Sequence, residues 1–133
     1  MLWGTVALVV GYIGLNALYK TWSAALFPID PEKVALISSG QRLVEACTAC
    51  HYLDQRANFV GPQLVGIFGR PVADIRTDEY SEALKRVGGN WTAERLSAFL
   101  KEPQTYAPGT KMAVNGWSDD EVQAIVAYLQ SKE

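Results

Sequence analysis

The stretch "EACTACHYLD", residues 45–54, holds both cysteines of the chain and its single histidine: Cys47, Cys50 and His51. The Cys-x-x-Cys-His pattern is the attachment signature of a c-type haem. On a helix, positions i, i+3 and i+4 share a face. Cys47, Cys50 and His51 are therefore expected to point the same way. The two thiols would add across the two vinyl groups of one haem as thioethers, and the imidazole would meet the iron.

Other chemistries fit these three residues less well. A structural zinc site takes four Cys or His ligands in tetrahedral array, and the sequence offers three. A thioredoxin-like redox motif sits beside a βαβ pattern, which the chain lacks. A disulfide between Cys47 and Cys50 would close a very short loop and leave His51 unexplained.

Outward from this site the charge is uneven. The 133 residues carry a net charge of −2. Every acidic residue lies at or after Asp30, and before it Lys20 is the only charged side chain. Nothing in this balance points to nucleic acid. The segment from Leu2 to Tyr19 has no charge, and as a helix it would be about 27 Å long, close to the ~30 Å hydrocarbon core of a bilayer. Trp3 at one end, with Tyr19 and Trp22 at the other, suit the two headgroup belts. A signal peptide is the rival reading. "SAA" at 23–25 would serve as its cleavage site, but the basic n-region is missing. The chain is thus read as a transmembrane anchor over 1–27, a short linker over 28–38 and a domain over 39–133. Gly4, Ala7, Gly11 and Gly14 form a small-residue stripe in the anchor. Such a stripe either lets a partner helix approach closely or reflects ordinary glycine usage in membranes.

The remaining pattern is helical. Asp30-Pro31 reads as a cap followed by an N1 proline, and Ser38-Ser39-Gly40 as a break before the helix that carries Cys47. "NFVGPQLVGIFGRPV" reads as loops. "TDEYSEALKR" reads as a short helix stopped by Gly88-Gly89, and "TAERLSAFLKE" as another capped by Thr92. Ser118 and Glu121 form a capping box ahead of the apolar face Val122, Ile125, Val126 and Leu129. No alternating strand of useful length is present. The fold class expected is all-α, with loops long enough to need a cofactor to pack against.

A six-coordinate haem needs a second axial ligand. The one methionine besides Met1 is Met112, in the Pro-Gly loop "YAPGTKMAVNGW". It is either a core side chain or that ligand, since a soft thioether suits low-spin iron and His/Met ligation raises the potential of cytochromes c.

From Gly40 to Leu129 the chain resembles a class I cytochrome c of the mitochondrial type. The matching segments are "CTACH", "GPQLVGIFGR", Trp91, "PQTYAPGTKM" and "IVAYL", in the family's order and near its spacing. With the anchor added, it resembles the membrane-anchored cytochrome cy group. The resemblance implies a class I haem domain and one covalently bound haem c. It implies His51 and Met112 as the iron's axial ligands and Pro62 as acceptor for the imidazole's other N–H. Arg70, Tyr80 and Trp91 match residues around the haem propionates. Gly40, Val44 and Tyr128 match positions where the first and last helices cross. Phe99 stands where the family has a tyrosine bonded to the ligand sulfur, and Val114 replaces a phenylalanine at the crevice edge. The basic ring around the haem edge is thin, with Lys111, Lys85, Arg86 and Lys101 available to it.

What the resemblance implies about function is a one-electron carrier and not an enzyme. It would take electrons from a quinol–cytochrome c reductase and deliver them to a haem-copper oxidase or a photosynthetic reaction centre. A fixed subunit of a larger respiratory or dehydrogenase complex is the alternative. Covalent haem attachment requires export in bacteria, so the expected place is the inner membrane, single-pass, with the haem domain in the periplasm. A haem enzyme or gas sensor would need an open sixth position, which Met112 would fill.

Overall fold

The structure, a computed structural model, describes residues 30–74, 80–114 and 116–133. The expected anchor over 1–27, with its Gly4–Gly14 stripe, lies outside the described residues. No helix among the described residues is long and apolar enough to cross a membrane.

Asp30 starts the first helix as its sequence suggests. Its carboxylate accepts the N–H of Glu32 at 2.9 Å and of Lys33 at 3.2 Å, and Pro31 follows, where a missing N–H costs nothing. This helix, α1, runs Pro31–Leu43. It does not break at Ser38-Ser39-Gly40 as expected. Cys47 lies beyond it, in a 3-10 helix over Val44–Ala49. Tertiary packing overrides the local signal here. Gly40 is buried against the C-terminal helix α5, Asp119–Gln130. A Cβ built on Gly40 would collide with the Ala124 carbonyl oxygen and lie 2.8 Å from the Tyr128 Cβ. The glycine is therefore needed for a close crossing of two backbones, and the helix absorbs its low propensity. Val44 and Ile125, at 1% and 0% exposure, anchor the core beside this crossing. Burying each such side chain contributes roughly 1.5–3 kcal/mol.

The other helices follow their caps. Helix α2, Glu82–Val87, begins at Ser81, whose hydroxyl accepts from Leu84 N–H at 3.2 Å. It starts later than the "TDEYSEALKR" reading placed it, and residues 75–79 are outside the described residues. Helix α3, Ala93–Lys101, is capped by Thr92. A one-turn helix α4, Pro103–Tyr106, follows at once. Both halves of the Ser118–Glu121 capping box are present at α5.

The 58–72 segment is loop, as its Gly and Pro content predicts. Among the described residues the only sheet-like pairing is Pro71 with Asn90. Flanking bonds run from Trp91 N–H to the Arg70 carbonyl at 2.8 Å, from Gly69 N–H to the Trp91 carbonyl at 2.9 Å and from Val72 N–H to the Gly89 carbonyl at 2.7 Å. This short seam brings Arg70 and Trp91 side by side. Trp91 then packs with Phe99 and Tyr106, with ring centroids 5.4 and 6.2 Å away.

Candidate functional site

The Cys-x-x-Cys-His segment is set by the end of the 3-10 helix. The Cys47 carbonyl accepts both the Cys50 N–H at 3.1 Å and the His51 N–H at 2.9 Å. One helical turn thus gathers the three side chains, although the α-helix expected to carry them ends earlier. The two thiols are free of one another. Burial pushes the Cys47 thiol above its ordinary value, so this site disfavours a thiolate. A neutral thioether fits it better.

The next loop folds back on the histidine. Gly61 N–H donates to the Cys50 carbonyl at 2.8 Å. His51 Nδ1 lies 2.6 Å from the Pro62 carbonyl oxygen. A carbonyl only accepts, so Nδ1 is the donor, and in that tautomer of the neutral ring Nε2 carries the lone pair. Gly61 sits on the ring itself, where an added Cβ would lie 2.5 Å from Cε1. The ring is therefore held both by a hydrogen bond and by contact.

His51 borders a cavity of about 460 Å³, within the ~300–1,000 Å³ range of small-molecule and cofactor sites. All eight residues singled out from the sequence line it: Cys47, Cys50, His51, Pro62, Arg70, Tyr80, Trp91 and Met112. Segments up to 65 residues apart in the chain thus meet on one apolar hollow. Most of the remaining wall is hydrocarbon or aromatic, including Leu64, Ile67, Leu84, Leu96, Phe99 and Leu100. Phe99 is buried in this wall and, as a phenylalanine, offers no hydroxyl from that position.

The polar part of the wall tests what the cavity would take. Arg70 donates from one terminal nitrogen to the Gln63 carbonyl at 2.8 Å, yet its buried Nε has no hydrogen-bond partner. A buried guanidinium N–H left without an acceptor is costly. A group that brings a carboxylate into the cavity would satisfy it. Haem does so, with a large apolar body for the hydrocarbon walls and propionates for the cation. Among the described residues, Gln63 Oε1 is the other buried side-chain polar atom with no partner, and Gln63 does not line the cavity.

Several contributors carry no local signal. Gly61 reads in sequence only as half of a Gly-Pro turn. Arg95 donates from Nε to the Tyr106 hydroxyl at 2.9 Å and from a terminal nitrogen to the Gly88 carbonyl at 2.6 Å. It thereby ties α3 to the turn before Trp91. The basic residues expected near the haem edge are partly neutralised. Lys85 pairs with Glu82 at 2.8 Å and Lys101 with Asp119 at 2.6 Å. Lys111 borders the cavity and is exposed.

Comparison with known proteins agrees with this geometry. The cytochrome c family model matches residues 37–133. The chain is 35% identical over 151 aligned positions to a cytochrome c homolog of Rickettsia bellii, covering 95% of this chain and 87% of that protein. It is 40% identical to the cytochrome c-type cyt cy of Rhodobacter capsulatus, covering 80% of this chain and 55% of that one. It is also 40% identical to a cytochrome c2 of Agrobacterium tumefaciens, covering 70% and 88% respectively. Among solved structures, cytochrome cH from Methylobacterium extorquens superposes with a TM-score of 0.65 at 34% identity, covering 71% of this chain and 97% of that one.

Proposed function

This chain belongs to the cytochrome c family, and from that premise we propose that it is a membrane-tethered electron carrier between a quinol–cytochrome c reductase and a haem-copper oxidase or reaction centre. Cytochromes c are electron carriers, not enzymes, and the chain has the two cysteines for one covalently bound haem c. The bound haem supplies the one-electron chemistry of its iron. The observation that carries the reading is the His51–Pro62 hydrogen bond of 2.6 Å at the edge of a cavity that Met112 also borders.

In this reading Cys47 and Cys50 would hold the haem as thioethers, and His51 Nε2 and Met112 Sδ would be the two protein ligands to its iron. Pro62 keeps the imidazole in one tautomer and orientation, as the partner behind a metal-bound histidine does. Arg70, with Tyr80 and Trp91 on the same cavity wall, would hold the propionates. The apolar wall excludes water. The inner wall, with Tyr80, Trp91, Leu96 and Phe99 buried, is already packed, so little of it needs to move when the charge changes.

The tether rests on the uncharged Leu2–Tyr19 segment. The alignment with the Rickettsia bellii relative supports treating it as part of the same protein, since 95% coverage reaches well into the first 27 residues. In this reading the haem domain lies on the periplasmic side of a bacterial inner membrane. A fixed subunit of a larger complex is the second reading, and one observation favours it. The linker expected over 28–38 is helical from Pro31, and eight helical residues reach only about 12 Å, against about 27 Å extended.

Fractionation of cells making the full chain tests the tether. The covalent haem should sediment with membranes, resist carbonate extraction, and be reduced by quinol only when the reductase is present. Haem found in the soluble fraction as intact chain would sink the tethered reading. Sizing in mild detergent separates a lone carrier from a subunit.

A further inference from the structure

The loop that bears Met112 is held by a side chain outside the cavity. Gln104, in α4, donates from Nε2 to the Thr110 carbonyl at 3.0 Å and accepts the Gly109 N–H on Oε1 at 3.2 Å. Only one orientation of the amide permits both. The flipped group would set carbonyl against carbonyl and N–H against N–H. The two groups it grips lie two and three residues before Met112.

The loop has little else of its own. Thr110 N–H donates to the Ala107 carbonyl at 2.9 Å, and Met112 N–H makes a long contact of 3.4 Å to Thr110 Oγ1. Pro108 has no N–H to give. Gly109 turns at φ 92°, a conformation that L side chains rarely adopt. Beyond Met112, Ala113 and Val114 are exposed. A methionine in such a loop stays in place only as firmly as the turn before it.

We propose that Gln104 is a positioning residue for Met112, stapling the turn at Gly109–Thr110 and so setting how readily an outside ligand takes the methionine's place on the iron. The inference rests on Met112 being the second axial ligand. Gln104 does not border the cavity, so it acts through the loop alone.

Imidazole titration of the ferric holoprotein tests it, comparing the native chain with Gln104→Ala and with Thr105→Ala, an exposed neighbour on the same helix. Loss of two partly solvated hydrogen bonds should tighten imidazole binding about three- to tenfold in Gln104→Ala and leave it unchanged in Thr105→Ala. The Gly109 amide should exchange with solvent faster by a similar factor in Gln104→Ala only. An unchanged imidazole affinity in Gln104→Ala, whether or not its melting temperature falls, would overturn the proposal. So would an equal tightening in Thr105→Ala. A failure of the ligand reading shows up separately. The native ferric protein would then lack the weak far-red band of methionine-bound iron, while Gly109 exchange would still report the staple.

Discussion

The His51 imidazole is fixed from two sides, by the Pro62 carbonyl 2.6 Å from Nδ1 and by Gly61, whose missing Cβ would lie 2.5 Å from Cε1. The ring has no room to tilt toward Gly61. Gly61→Ala should therefore push the imidazole off its axis and strain the core by roughly 1–3 kcal/mol, the usual range for overpacking. Denaturant melts check the stability. Paramagnetic shifts of the ferric haem methyls report the ring angle, and unchanged shifts would show that the loop, not the ring, gives way.

Met112→Ala should keep the covalent haem but lose the far-red band and lower the potential, because the thioether favours ferrous iron. His51→Ala should abolish holoprotein. A Met112 variant with the band intact would remove Met112 from the iron.

At the crossing of α1 and α5, Gly40→Ala should destabilise the domain by about 1–3 kcal/mol or more, since the new methyl meets backbone and cannot be relieved by a side-chain rotation. Thermal unfolding of the holoprotein measures it. A loss below about 0.5 kcal/mol would mean that the two helices separate easily.

The capping box of α5 gives the stability an acid limb. Hydrogen bonds from the Ser118 backbone and hydroxyl hold the Glu121 carboxyl below its ordinary value. A folded pKa lowered in this way adds stability above the unfolded value near 4.3 and loses it as pH falls through the folded value. Glu121→Gln should make the fall in melting temperature between about pH 5 and pH 3 shallower, with Glu82 and Glu94, also held below their ordinary values, still contributing the rest. Parallel curves for the two proteins would contradict it.

Electron delivery by the full-length chain should depend weakly on salt. Lys85 and Lys101 are paired with acidic neighbours, which leaves a sparse basic surface for steering. A tether raises the effective concentration of the partner in place of long-range attraction. The domain cut near Asp30 should be slower, and lowering ionic strength should rescue it poorly. Reduction kinetics of the oxidase across a salt series decide this. A steep loss of rate in the full-length protein would show that Lys111 and Arg86 still steer docking.

Some of this molecule was determined by the sequence alone, because the determinants are local. Cys47, Cys50 and His51 fall within one turn whatever surrounds them. Asp30, Ser81, Thr92 and Ser118 each cap a helix through a bond of two or three residues' span. The loop character of 58–72 follows from its glycines and prolines. Tertiary structure decided what depends on distant contacts. Ser38-Ser39-Gly40 reads as a break, yet α1 runs through it because the backbone of α5 lies where a Cβ would be. Arg70 and Trp91 are 21 positions apart and meet through a seam between loops. Gly61 shows no purpose until the His51 ring is placed against it. Gln104 and Arg95 look like exposed helix residues, and only the folded loops bring to them the carbonyls and N–H groups that they hold.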